Sequence, residues 1–153
     1  MRAAARGRPL TSSGLKPMFS LPIRIYWEDT DAGGVVYHAR YVAYLERARS
    51  EWMRTLGYQQ GGMRESLGLV FAVRAMELDF LKPARLDDAL DVTVALAGCR
   101  RASAVFAQEV RRGDEVLLTA RVRVAALEAA SFRPCAIPEG LYAHLKSLET
   151  QDN

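Results

Sequence analysis

The sequence predicts an α+β domain: one antiparallel sheet curled around a single long helix. Three observations predict it. A strand-like run over residues 21–27 precedes a helical stretch that opens near His38 or Ala39 and closes at Gly57. That stretch places large aromatic residues along one side, as expected of a helix covered by a sheet. Four further strand-like runs follow, divided by short turns, with no internal repeat and no sign of a second domain. At 153 residues the chain has the size of one domain with one core.

Residues 1–20 mix Arg, Ala, Gly, Pro and Ser with few large apolar groups, the composition of a disordered basic tail. Their Arg and Ser content without acids resembles a transit peptide, but the apolar core of a secretory signal is missing. Met18 is an alternative start, and the tail is expected to be functionally silent. The folded domain is expected over residues 21–153. Leu21 to Trp27 alternates, with Ile23, Ile25 and Trp27 on one face and Arg24 and Tyr26 on the other, as a half-buried strand does. In the helix, Tyr41, Tyr44, Leu45, Ala48, Trp52, Thr55 and Leu56 recur at helical spacing, and Gly57 suits the position just past its end. Tyr41 and Tyr44 read as core residues.

A glycine-bearing connection with a short helical turn near Met63–Leu67 leads into Leu69–Leu81. There the apolar parity shifts midway, which predicts a bulged strand. Ala89–Cys99, Ala102–Arg112 and Glu115–Leu127 complete the strands, with a hairpin at Arg112-Gly113-Asp114. Glu139 to Leu148 is a short amphipathic helix with Leu141, Leu145 and Leu148 on one side.

Charge and cysteine usage exclude several function classes. Residues 1–20 hold Arg2, Arg6, Arg8 and Lys16 and no acid, while the remaining 17 basic residues face 18 acidic ones. The formal net charge of +3 therefore belongs to the tail, and the body lacks the basic footprint of a nucleic-acid binder. No apolar run approaches the ~20 residues of a membrane-spanning helix. Cys99 and Cys135 show no CxxC spacing, so free thiols in a reducing cytoplasm are expected. With His38 and His144 far apart, no metal site is expected. Around Ser66 only the second half of GxSxG is present, which leaves no nucleophile elbow.

The chemistry concentrates in Trp27–Arg49, WEDTDAGGVVYHARYVAYLERAR. Glu28, Asp29 and Asp31 cluster before Gly33-Gly34, where the missing side chains permit a tight turn and close approach of a ligand. The helix start that follows offers N–H groups without intrahelical partners, which attract developing negative charge. A carboxylate beside such donors suits acyl transfer. Asp-Thr-Asp before glycines is equally ordinary turn and cap chemistry, so the local pattern leaves both readings open.

The whole stretch resembles the signature of the 4-hydroxybenzoyl-CoA thioesterase family of hotdog-fold proteins, and within it the YbgC-type branch associated with the Tol-Pal envelope system. The likeness runs from about Leu21 to about Pro138 and includes FLKPARLDD and the RRAS stretch. It implies a hotdog fold that hydrolyses acyl-CoA or acyl carrier protein thioesters to acid and thiol, with no cofactor beyond the coenzyme A of the substrate. It also implies a homodimer or homotetramer, with sheets joined edge to edge and active sites between subunits. The second Asp of DTD, here Asp31, is the implied catalytic carboxylate, as nucleophile or as general base. Asp29 is then a turn or salt-bridge residue. The backbone N–H of His38 is the expected oxyanion donor, and its imidazole either assists the leaving thiolate or merely caps. Gly34, Val36 and Tyr37 complete the expected substrate loop, and Arg100, Arg101 and Ser103 are expected at the phosphates. Glu46 lies inside LERAR and reads as structural. A dehydratase is disfavoured by the missing HFPG-type stretch. The remaining alternative is a scaffold of the Tol-Pal machinery with incidental hydrolase activity.

Overall fold

The computed structural model describes residues 17–150. Five strands form one antiparallel sheet: β1 (Phe19–Arg24), β2 (Leu69–Phe80), β3 (Ala89–Arg100), β4 (Ser103–Arg112) and β5 (Glu115–Glu128), in the spatial order β1-β3-β4-β5-β2. The chain leaves one sheet edge after β1, crosses a face as α1 (Arg40–Thr55), passes a short α2 (Gln60–Ser66), and re-enters at the opposite edge as β2. A last helix, α3 (Glu139–Leu148), follows β5. This is the predicted class, a sheet around one helix.

Burial explains the arrangement. α1 turns Tyr41, Tyr44, Leu45, Ala48, Trp52 and Met53 inward, and the core they form includes Leu90, Val92, Val94 and Leu96 of β3 and Phe106 and Val110 of β4. Each large apolar side chain buried this way contributes about 1.5–3 kcal/mol. Trp52 meets the Phe106 ring edge-on at 5.6 Å. The helix stops where Gly57 takes φ +93. There the Gly57 N–H reaches Arg54 O and the Tyr58 N–H reaches Met53 O, each at 3.0 Å, satisfying carbonyls the helix leaves open.

The predicted parity shift in β2 is a register break between Val73 and Ala75 against β5. The two-residue turn after β4 uses Gly113 at φ +63. β1 covers only Ala89–Val94 of β3. Beyond it the C-terminal segment caps the same edge: the Thr150 N–H donates to Leu96 O at 2.9 Å, and Glu149 Oε2 accepts the Cys99 N–H at 2.9 Å. β2 has no neighbour on its outer side among the described residues.

The first strand departs from expectation. It begins at Phe19, two residues into the expected tail, and ends at Arg24. Residues 1–16 of that tail lie outside the described residues. Ile25 is buried as expected, but Trp27 is 78% exposed in a 3-10 turn over Trp27–Asp29. The Asp29 carboxylate accepts the Tyr26 N–H at 2.8 Å, which takes the backbone out of the ladder.

Candidate active site

The loop from Thr30 to Tyr37 is closed by short-range hydrogen bonds. Thr30 and Val36 form an antiparallel bridge, the Asp31 N–H donates to Val35 O at 2.9 Å, and the Gly34 N–H returns to Asp31 O at 3.0 Å. Asp31 Oδ1 accepts the Gly33 N–H at 2.8 Å, which orients a carboxylate that is otherwise solvent-exposed. Gly34 sits at φ +83, the left-handed region a side chain disfavours. At Gly33 an added Cβ would lie 3.2 Å from Asp31 Oδ1. The two glycines thus serve different needs, conformation at Gly34 and space beside the carboxylate at Gly33.

A second set of contacts fixes the loop to the body. The Val36 N–H donates to Ala84 O at 2.9 Å, Val35 bridges Arg85, and Tyr41 Oη accepts the Ala84 N–H at 3.1 Å. The segment between β2 and β3, residues 81–88, is therefore the platform of the loop. Burial pushes the Tyr41 phenol up, against the Ala84 N–H, which pulls it down.

Asp29 lies beneath the loop. It is 4% exposed, and its Oδ1 receives Arg40 Nε at 2.9 Å and Nη2 at 2.5 Å. Burial pushes its carboxyl up, but the Tyr26 N–H and the Arg40 guanidinium outweigh that and hold it below the usual carboxylate range. The Tyr44 hydroxyl is buried beside this pair without meeting hydrogen-bond geometry, and burial pushes its phenol well up. Asp29 is thus an ion-pair residue, and of the DTD carboxylates Asp31 alone is open to a substrate.

Helix α1 begins at Arg40, one to two residues later than expected, so His38 stands in the turn before it. Among the described residues no acceptor pairs with the His38 N–H, while the Arg40 N–H is taken by Tyr37 O at 2.9 Å. The His38 ring packs against Tyr37 at 4.7 Å and edge-on to Phe80 at 6.5 Å. Tyr37 is 47% exposed, whereas the Val36 side chain is buried.

One loop thus brings together Asp31, Gly34, Val36, Tyr37 and His38. Arg100, Arg101 and Ser103 flank the β3–β4 turn instead. Arg100 and Ser103 line an open cleft there. Arg101 is engaged elsewhere, with Nη1 3.1 Å from Glu139 Oε1 and its guanidinium 4.5 Å from the centre of the Tyr142 ring. Glu46 accepts the Ser50 hydroxyl at 2.7 Å, within its own helix.

Sequence reasoning missed a pocket of about 130 Å³ between α1 and the sheet, with Met53, Phe71, Val73, Phe106 and Leu145 among its walls. Arg49 borders it from the core, 7% exposed, donating to Gln108 Oε1 at 3.0 Å. Gln108 is held in turn by Leu45 O and Thr93 O at 3.1 and 3.2 Å. Only the position of Arg49, on the same side of α1 as Leu45 and Trp52, hinted at this.

Residues 25–145 match the thioesterase-like superfamily. The chain is 42% identical over 131 residues to the acyl-CoA thioesterase YbgC of Haemophilus influenzae, across 84% of this chain and 96% of that one. The acyl-CoA thioester hydrolase YbgC of Escherichia coli O6:H1 is likewise 42% identical over 131 residues, at 84% and 96% coverage. The crystal structure of a probable thioesterase from Bartonella henselae superposes with a TM-score of 0.75 at 34% identity, across 78% of this chain and 98% of that one. The chain therefore belongs to the thioesterase-like superfamily, in its YbgC-type, hotdog-fold branch.

Proposed function

We propose that this thioesterase hydrolyses acyl-CoA thioesters to the free acid and coenzyme A, with Asp31 as the catalytic carboxylate. The carrying observation is the loop itself: an exposed, oriented carboxylate shares it with the unpaired N–H of His38 at the start of α1. The chemistry follows from those two groups. The Asp31 carboxylate either attacks the thioester carbonyl or takes a proton from the attacking water. The His38 N–H stabilises the oxyanion, for which one donor is worth roughly 10²–10³ in rate. Collapse breaks the C–S bond, and the thiolate leaves with a proton from solvent or from the His38 imidazole. If Asp31 attacks, water then cleaves the acyl-aspartyl anhydride.

The site is completed by a second copy of the chain. β2 ends the sheet with Val73 47% and Phe80 52% exposed, an apolar edge that pairing would cover. Two β2 strands paired antiparallel about their middle bring Phe80 of one, beside His38, opposite Leu69 and near Phe71 of the other. The apolar pocket of each subunit then adjoins the catalytic loop of its partner and receives the acyl group. The assembly is a homodimer or a tetramer built from two such dimers. No helix among the described residues is long and apolar enough to cross a membrane. The free thiols of Cys99 and Cys135 suit a reducing cytoplasm, where we place the reaction. Acyl carrier protein is the alternative carrier, and a Tol-Pal scaffold with incidental hydrolysis is the alternative role.

A thiol-release assay across acyl-CoA chain lengths, with an acyl carrier protein substrate beside it, tests the reading. Turnover well above that of Asp31→Asn is expected for at least one acyl-CoA. Equal rates for the two proteins would reject the proposal. Light scattering that finds only the 17.0 kDa species at micromolar concentration would reject the shared site.

A further inference from the structure

The pocket between α1 and the sheet holds a cation without a counterion. Arg49 is 7% exposed, and among the described residues its one acceptor is the neutral Gln108, met by Nη1 at 3.0 Å. No carboxylate of those residues lies within 4.0 Å of it. Its Nε and Nη2 find no acceptor there, yet neither is fully enclosed by protein, and Arg49 lines the pocket. Burial pushes the Arg49 guanidinium down from its ordinary range, and the charge of Glu46 pulls it back up. Arginine keeps its proton even so. A buried charge with only a neutral partner is costly, and a carboxylate gripped by two guanidinium nitrogens relieves that cost. Glu46 does not supply it, being exposed and accepting the Ser50 hydroxyl at 2.7 Å. Arg121 and Arg123 alternate with the buried Val122 and Val124, so they face away from α1 and line the open cleft with Arg74 and Arg100. Among the described residues Arg49 is thus the one cation at this pocket.

We infer that this pocket selects a short acyl group ending in a carboxylate, the half-thioester of a dicarboxylic acid, and that Arg49 reads that carboxylate. The inference rests on the acyl-CoA reading and names the substrate class of its pocket. Size and lining agree with it. The volume of about 130 Å³ approaches the roughly 150 Å³ of a cavity that admits benzene, which limits the acyl group to about six heavy atoms past the thioester carbonyl. A glutaryl group, counted from the carbon after that carbonyl to its carboxylate oxygens, fills this size. Met53, Phe71, Val73, Phe106 and Leu145 offer apolar walls to its methylenes, and Arg49 offers its charged end a fork. Gln108, held by Leu45 O and Thr93 O, fixes the guanidinium before a substrate arrives. Hydrolysis then releases the dicarboxylic acid and coenzyme A, water giving its hydroxyl to the acyl carbon and its proton to the departing thiolate.

The test offers the full chain three coenzyme A thioesters, with uncatalysed hydrolysis subtracted. They are glutaryl-CoA, 5-methylhexanoyl-CoA, which replaces the carboxylate by an apolar fork of the same size, and 5-hydroxypentanoyl-CoA, which keeps a neutral oxygen. For the native protein, kcat/KM on glutaryl-CoA is expected to exceed that on 5-methylhexanoyl-CoA about tenfold or more, the scale of charge-assisted hydrogen bonds. Arg49→Met combined with Gln108→Leu removes the charge and its acceptor together, and the ratio is expected to fall below unity. The melting temperature serves as the folding check. If the double variant melts early, Arg49→Lys is read instead, since an ammonium keeps the charge and loses the fork. A several-fold fall in the ratio is then expected, and an unchanged ratio would overturn the inference. A native ratio at or below unity would overturn it too and leave the acyl-CoA reading intact. So would equal use of the glutaryl and 5-hydroxypentanoyl thioesters, since the pocket would then read a neutral oxygen. Cleavage of none of the three, with a longer acyl-CoA still hydrolysed, would end the inference alone; no hydrolysis of any acyl-CoA would end both.

Discussion

Arg40 holds the Asp29 carboxylate from two nitrogens, Nε at 2.9 Å and Nη2 at 2.5 Å, and so ties the first turn of α1 to the foot of the candidate catalytic loop. Asp29 is almost fully buried and Arg40 about a third exposed, so removing one partner strands the other. Arg40→Met is expected to cost about 2–4 kcal/mol, toward the lower end of the range for breaking a buried pair, and calorimetric melting measures it.

The same pair makes stability depend on pH. The native Asp29 carboxyl is held below its ordinary value of 3.8, so the unfolded state takes up its proton first. Its contribution is fully present above that ordinary value and is lost as pH falls through the lower native one. Asp29→Asn should flatten the loss of stability in the acid range. A variant whose melting temperature falls as steeply below pH 4 as that of the native protein would contradict this.

Asp31→Asn keeps the size of the side chain and an oxygen for the Gly33 N–H, so the fold should survive. It removes the charge that attack or water activation requires, and kcat should fall by ~10²-fold or more. Glu46→Gln should stay near native turnover, since Glu46 accepts the Ser50 hydroxyl within its own helix, borders the pocket beside Arg49 and stands apart from the catalytic loop. The reverse ordering would move the chemistry to the helix carboxylate.

Gly33→Ala and Gly34→Ala should separate activity from stability. At Gly33 the new Cβ presses on Asp31 Oδ1 from 3.2 Å, so the carboxylate must shift. Misplacement on this scale lowers kcat by roughly tenfold to ~10²-fold with little change in melting. At Gly34 nothing lies within 4 Å, but φ +83 strains any side chain, at a cost of about 1 kcal/mol. Equal effects of the two changes on kcat would refute the distinction.

Gln108→Leu removes the acceptor of a buried guanidinium, and about 2–3 kcal/mol of stability should go with it. Combining it with Arg49→Met removes the orphaned charge as well, so the double variant should melt above the single one. If the double variant is the less stable, Arg49 has partners beyond Gln108.

How far the sequence reaches follows from the range of each interaction. The class, the order of the elements and the position of the loop were legible because helical spacing, strand alternation and turn residues act over a few neighbours. Gly57 ended α1, Gly113 turned the hairpin, and the parity shift in β2 became a register break. Asp29 and Asp31, two residues apart, were told apart in the sequence by the family resemblance and not by local pattern; in the folded chain Arg40 claims one and leaves the other exposed. The strand end at Trp27 was lost for the same reason, since the pull of Asp29 on Tyr26 has no signature in alternation. Arg100 and Arg101 read alike in the sequence, yet Glu139 and Tyr142, brought near by α3, took Arg101 away. Arg74, Arg121 and Arg123 gathered because β2 and β5 pair antiparallel and the register break sets Arg74 beside Arg123, and Arg49 entered the core because Gln108 of β4 was there to receive it. Local patterns repeat within a few residues and can be read along the chain; the partner of a charge is chosen across the sheet, and that choice belongs to the tertiary structure.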